Sequence, residues 1–292
     1  MAQTAATLAG KTILVTGGTS GIGFIAAQAL AGMGATVVIV GHHAARAQDA
    51  AARIRSATGT TDVQALVADL SSMQEVRSLA DQVQQRWPRL DVLLNNAGGV
   101  FMTRQTTVDG YEHTFAVNHL APFLLTNLLL DRLKADTPAR IITVSSMAHG
   151  GQRIHLDDLN QTQRGYSAWR AYGESKLANL LFTYALARRL EGSGVTANTL
   201  HPGFVATNFA KNNGPLWQVF MTLARPFAIS PERGAQTSIY LASSPEVASI
   251  SGRYFIRRRP AHSSSASMDV EAQEGLWRLS EQMTGLASVA QR

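Results

Sequence analysis

Short β-branched runs alternate with longer helical stretches from residue 12 to residue 203. The runs are TILVTGG (12–18), ATVVIVG (35–41), VQALVADL (63–70), LDVLLNNAG (90–98), ARIITVSS (139–146) and VTANTLHPG (195–203). Between them, apolar residues recur at helical spacing. These stretches run from about Ile22 to Met33, through AARAQDAAARIRSA, up to about Trp87, around 107–135, and through RAYGESKLANLLFTYALARRLEG to Gly192. Such alternation predicts parallel strands with helices on both faces, and near-continuous apolar strands fit a sheet buried on both sides. The expected fold is α/β: a single doubly wound domain with a parallel sheet of about seven strands. No internal repeat, low-complexity linker or composition shift divides the 292 residues.

Composition narrows the function classes. Hydrophobic residues at 45% and charged residues at 16% are ordinary for a soluble globular protein. The absence of cysteine excludes disulfides and thiolate metal sites, and no metal is expected. No window approaches ~18 uninterrupted apolar residues and no leader pattern opens the chain, so a soluble cytoplasmic protein is expected. A net charge of +6 raises the question of nucleic acid or an anionic membrane. The basic residues are dispersed, however, and the only tight cluster is RRR at 257–259. No zinc-finger or RNA-binding signature accompanies it, so a basic surface serving an anionic cofactor is the economical reading, with no nucleic-acid partner.

In a doubly wound (Rossmann) sheet, ligands bind outside the carboxyl ends of the strands. The first end carries TGGTSGIG, Thr16 to Gly23, immediately before a helix. Gly17, Thr19, Ser20, Gly21, Ile22 and Gly23 are candidates for holding a pyrophosphate, with the helix N-terminus supplying N–H donors. Asp69-Leu70 ends the third run, where the carboxylate is either an acceptor for an adenine amino group or a helix cap. The fourth ends in NNAG, and Asn95, Ala97 and Gly98 offer a small-residue surface to a dinucleotide. Asn118 is a polar residue in the apolar FAVNHLAPF, and Ser145, in VSS, places a hydroxyl at the end of the fifth run. Tyr172 and Lys176 stand about one helical turn apart, on one face of their helix. Taken alone, that pair reads as an ordinary surface feature.

Together these marks resemble the short-chain dehydrogenase/reductase family, in family order, over roughly residues 10 to 255. The matches are Thr-Gly-x-x-x-Gly-Ile-Gly (16–23), Asn-Asn-Ala-Gly (95–98), Asn118, Ser145, Tyr172-x-x-x-Lys176 and Pro202-Gly203. The resemblance implies an oxidoreductase in which Tyr172 is the acid/base and Ser145 orients the substrate oxygen. Asn118 then supports a water-linked proton path, and Lys176 both lowers the tyrosine's pKa and binds the nicotinamide ribose. The spacing from Ser145 to Tyr172, with the inserted IHLDDLNQTQRGYSAWRAYG, resembles the retinol-dehydrogenase-like branch. Tyr166, in that insertion, has no lysine four residues on and reads as packing or pocket lining. A substrate lid is implied over about 204–229, with Pro202, Gly203, Val205 and Thr207 touching the cofactor.

The second strand ends in GHHAAR without an acid, so a 2′-phosphate is not repelled, and His42, His43 and Arg46 attract it. NADP(H) is therefore favoured over NAD(H). The lid's apolar content suits an apolar aldehyde, ketone or alcohol, and contact with a membrane surface is compatible with this. A monomer or homodimer is implied, and a C-terminal extension over about 256–292 is expected to cross back and end in a helix. The competing reading is a catalytically silent dinucleotide-binding regulator or scaffold.

Overall fold

A computed structural model of the protein describes residues 7–205 and 228–286. The chain runs β1 (Thr12–Thr16), α1 (Gly21–Gly32), β2 (Thr36–Gly41), α2 (Ala44–Thr58), β3 (Val63–Val67), α3 (Met73–Arg86) and β4 (Val92–Asn95). It continues through α4 (His113–Phe115), α5 (Ala121–Leu128), α6 (Leu130–Ala135), β5 (Ala139–Val144), α7 (Ala168–Arg189) and β6 (Val195–His201). Last come α8 (Pro231–Ser243), β7 (Tyr254–Ile256), β8 (Arg259–Ala261) and α9 (Val270–Thr284). The sheet has the order β3-β2-β1-β4-β5-β6-β7-β8. Its first seven strands pair in parallel, as expected. An eighth, β8, turns back antiparallel on β7, with Arg257 and Arg258 at positive φ in the turn.

Two apolar layers cover the faces. One packs α3, α5, α7 and α9 on the sheet, with Leu93, Phe123, Leu181 and Trp277 in it. The other packs α1, α2 and α8, with Ile13, Leu30, Ile39 and Phe255. Burial on both faces is why the strands read as unbroken apolar runs.

The expected long helix over 107–135 is broken. A π-helical turn spans Ala116–Leu120, closed by Ala121 N donating to Ala116 O. The physical reason is Pro122: it has no N–H for the carbonyl of residue 118, and its ring crowds that carbonyl. The helix widens there, and Asn118 sits in the widened turn. The sheet order reverses at the β1/β4 boundary, and sheets of this kind take their ligands in the crevice outside the carboxyl ends of the strands at such a point.

Candidate active site

The glycine turn after β1 meets the Asn95–Gly98 segment after β4 at that boundary. Gly17 has φ +65°, and a Cβ there would stand 2.9 Å from Ala97 Cα. A Cβ on Gly23 would stand 2.3 Å from both Gly17 O and Asn96 Nδ2, so neither position accommodates a side chain without displacing backbone. Asn96 braces the turn, its Nδ2 donating to Thr16 O at 2.9 Å and to Gly17 O at 3.2 Å. Ser20 precedes α1 without a side-chain cap, and no acidic residue enters the first turn. The N-terminal donors of α1 thus face the crevice without a competing carboxylate, which suits a pyrophosphate.

The chemistry-bearing side chains converge at the other end of the crevice. Lys176 is buried on α7, and its Nζ donates to Val144 O at 3.0 Å. A Cβ on Gly98 would stand 2.9 Å from Asn118 Oδ1 and 3.2 Å from Lys176 Nζ, so bare backbone lies directly against both groups. Asn118 is fully committed: Oδ1 accepts from Gly99 N at 2.8 Å, and Nδ2 donates to Gly99 O and Ser175 Oγ, each at 2.9 Å. Lys176 Nζ lies 5.6 Å from the centre of the half-buried Tyr172 ring.

Burial pushes the Tyr172 phenol up to about 12, opposed by a hydrogen bond with the Ser146 side chain. Burial pushes the Lys176 ammonium down to about 8. The ammonium donates one hydrogen bond to the Val144 carbonyl, and in this structure burial is the larger influence on the phenol. Tyr172 is held neutral here, a proton donor rather than a phenolate.

Several expected site residues are placed otherwise. Ser145 is 1% exposed, and its hydroxyl donates to Lys176 O at 2.7 Å, inside the sheet–helix layer. Its neighbour Ser146 meets the phenol instead. Backbone alternation beyond β5 turns successive side chains to opposite sides, so only one of the two serines reaches the crevice. Asn95 is buried and donates to Thr126 Oγ1 at 2.9 Å; its side chain faces the core, and Asn96 does the bracing. Asp69 lies two residues beyond β3 and its Oδ1 accepts from Ser71 N at 2.9 Å, bracing the turn, while the cap of α3 is Ser72. Leu70 is buried with the apolar layer.

Val205 is buried, and its side chain sets the limit for any Cβ on Gly234 at 2.7 Å. Pro202 and Gly203 lead out of β6 beside it. Thr207 and most of the expected lid lie outside the described residues. Tyr166 is half-buried, and its hydroxyl donates to Phe101 O at 2.6 Å.

At the end of β2, His42, His43 and Arg46 are all exposed. The two imidazoles lie 4.0 Å apart, and α2 begins directly after them with no acid in its first turn. The protonated form of His42 is disfavoured, first by burial, then by His43 and Arg46, against a favourable pull from Asp69. Two imidazoles and an arginine beside a helix N-terminus that carries no acid suit an anion.

The serine assignment has a direct test. Ser146→Ala should lower turnover ~10²-fold, the lower end of what proton-transfer groups contribute. Ser145→Ala should keep turnover and lose about 1 kcal/mol of stability, a typical net hydrogen bond. Steady-state kinetics with denaturant titration of both variants decides between them.

Comparison with known proteins agrees with the class that this fold and crevice define, the nicotinamide-dependent oxidoreductases. The profile described as short chain dehydrogenase matches residues 11–215. Human Retinol dehydrogenase 14 is 44% identical over 95% of this chain and 87% of its own length. A putative uncharacterized protein from Mycobacterium paratuberculosis superposes with TM-score 0.79 at 36% identity, covering 97% of this chain and 96% of that one. The Pseudomonas aeruginosa RhlG/NADP active-site complex superposes with TM-score 0.68 at 31% identity, covering 85% and 95%. The chain belongs to the short-chain dehydrogenase/reductase family, in its retinol-dehydrogenase-like branch. It is an NAD(P)-dependent oxidoreductase acting on CH–OH/C=O groups.

Proposed function

We propose that this enzyme interconverts an apolar alcohol and its aldehyde or ketone with NADP(H), using Tyr172, Ser146, Lys176 and Asn118. The observation that carries this is Lys176, buried against the bare backbone at Gly98 with its ammonium 5.6 Å from the Tyr172 ring, whose phenol Ser146 meets. The glycine turn and the N-terminus of α1 hold the pyrophosphate, and His42, His43 and Arg46 hold the 2′-phosphate. When bound, the dinucleotide supplies or accepts the hydride at the carbinol carbon.

The protein's own residues manage the proton and the geometry. Tyr172 gives its phenolic proton to the substrate oxygen in reduction and recovers it in oxidation. Ser146 donates to the same oxygen and fixes its distance from the phenol. Lys176 presents its ammonium to the nicotinamide ribose, and its charge favours phenolate formation once the crevice is filled. Asn118 clamps Gly99, which would fix the bare Gly98 backbone where the ribose is to be held beside Lys176. An apolar substrate is supported by Met147, 62% exposed directly after Ser146, and by Phe204, 49% exposed after Gly203. The whole chain serves this chemistry as one catalytic domain. A silent regulator has no use for a neutral phenol and a serine arranged on one substrate oxygen.

The test is a screen of alcohols and carbonyls of graded chain length with NADPH and NADH, followed by cofactor absorbance. Rate should rise with apolar chain length, and NADPH should bind more tightly than NADH. Arg46→Ala should weaken NADPH about tenfold, the scale of one charge-assisted hydrogen bond, and leave NADH within about twofold. Tighter binding of NADH by the unaltered enzyme would overturn the cofactor assignment.

A further inference from the structure

Ser146 is followed by a short 3₁₀ turn, Met147–His149, that touches three parts of the molecule. It lies flat on α7 beside the tyrosine: a Cβ on Gly173 would stand 2.7 Å from Ala148 O. It is tied to the end of β6, where Met147 N donates to His201 Nδ1 at 3.3 Å. Burial pushes His201 down to about 4, so that imidazole is neutral and free to accept.

The third tie is unusual. His149 is 5% exposed, and its Nδ1 lies 2.6 Å from the carbonyl oxygen of Ser146. Its Nε2 accepts from the backbone amide of Ser264 at 3.1 Å. A carbonyl only accepts and an amide N–H only donates. The ring therefore carries its proton on Nδ1 and is bare on Nε2. The Tyr254 ring stands edge-on at 5.3 Å, closing that side.

Ser264 is itself held from the C-terminal extension. Its carbonyl accepts from Ser267 Oγ at 2.6 Å, and Ser267 O accepts from Gln273 Nε2, in α9, at 2.8 Å. The neighbouring Ser263 hydroxyl is within 2.7 Å of the Tyr184 hydroxyl on α7. A continuous hydrogen-bonded path thus runs from α9 through Ser267, Ser264 and His149 to the residue that meets the phenol.

We propose that His149 is a positioning residue for Ser146, and that through it the C-terminal extension sets the geometry of the Ser146–Tyr172 pair. The imidazole touches neither substrate nor cofactor. It fixes the backbone of Ser146 from behind, so that the serine hydroxyl keeps its place on the tyrosine. Polar residues at both ends require a bifunctional side chain, and a neutral histidine with a proton on Nδ1 meets both requirements. The inference rests on the reading that Ser146 and Tyr172 act on the substrate oxygen.

The experiment is a double-mutant cycle, with a spectroscopic readout beside it. His149→Phe keeps the ring packing and removes both hydrogen bonds. It should lower kcat roughly ten- to hundredfold, since misplacing a positioned group by about 1 Å costs on that scale. KM and the NADPH dissociation constant should stay within about twofold. In a Ser146→Ala background the same change should have little further effect on kcat, because the group being positioned is gone. Ser264 has φ −62°, which proline adopts, and Ser264→Pro puts a ring carbon where the donated hydrogen lay. It should reproduce the loss in kcat from a residue of the extension, whether or not His149→Phe folds. Nitrogen NMR of the unaltered protein should show His149 protonated on Nδ1 alone. A Ser146→Ala enzyme with full turnover would overturn the functional reading and this inference together. If Ser146→Ala is impaired but His149→Phe multiplies its loss in full in that background, the positioning role fails and the functional reading stands. A resonance pattern with the proton on Nε2 does the same.

Discussion

Tyr172→Phe should fold, bind NADPH with nearly the original affinity, and turn over ~10²–10⁴-fold more slowly, the usual worth of general acid/base catalysis. The substitution deletes one oxygen and its proton and keeps the ring, which lies 5.6 Å from the Lys176 ammonium. The Ser146 hydroxyl that loses the phenol still accepts from Ala148 N at 3.2 Å, so its turn stays in place. Lys176 still donates to Val144 O, and Asn118 still clamps Gly99. Little besides the transferable proton is removed. Because burial holds the phenol near 12, the unaltered enzyme carries that proton throughout the neutral range. Carbonyl reduction has its donor ready, whereas oxidation needs the positive charge of the bound cofactor to make the phenol a base.

Tyr166→Phe is the control. It breaks the hydrogen bond to Phe101 O and should cost about 1 kcal/mol of stability without touching kcat. Thermal melts, cofactor titration and single-turnover rates on the two variants separate these outcomes. Full single-turnover rate in Tyr172→Phe would rule out the phenol as proton donor.

The strand ends were legible because apolar runs flanked by glycine and asparagine mark where a buried parallel strand emerges. Choosing between Ser145 and Ser146 was not possible in the same way. Both faces of β5 are covered, so residues 139–144 show no polar alternation from which the facing of the next two could be counted. NNAG posed the same difficulty: one asparagine of the pair faces the core and the other the glycine turn. The break at Asn118 did carry a signal in Pro122, four residues on, since a proline there denies the helix its bond to residue 118. His149 carried none. Its partner Ser264 is 115 residues away, and only the tertiary fold brings them together. The chemistry of the tyrosine was likewise half legible. Spacing put Lys176 on its face, but the ammonium's commitment to Val144 O depends on how deeply α7 is buried.

Arg164→Met should lose about 3–5 kcal/mol of stability at neutral pH, the usual cost of leaving buried charges unpaired. Arg164 lies in the insertion between the serines and Tyr172, and its guanidinium spans two carboxylates. Nε donates to Asp158 Oδ2 at 3.0 Å, Nη1 to Glu174 Oε1 at 2.9 Å and Nη2 to Glu174 Oε2 at 3.2 Å. The Asp158 and Glu174 side chains are only 2% and 7% exposed, so water does not replace the lost partner. Glu174 follows Tyr172 by two positions on α7, which makes this cluster the clasp holding the insertion against the catalytic helix. Burial works to raise the Asp158 carboxyl. Arg164, the Thr162 and Gln163 amides and the Thr162 hydroxyl outweigh it and hold the group far below the usual carboxylate range. A depressed folded value stabilises the protein above the unfolded pKa of about 3.9, and that contribution is lost as pH falls below it. In the variant the arginine's share disappears, and burial favours a protonated Asp158. The stability gap between the two proteins should therefore be widest near pH 7 and should narrow as the pH is lowered through about 4. Urea titrations of both proteins across that range measure it. A gap independent of pH would mean that Arg164 acts by packing alone, and Arg164→Lys, which keeps the charge without the fork, should fall between the two.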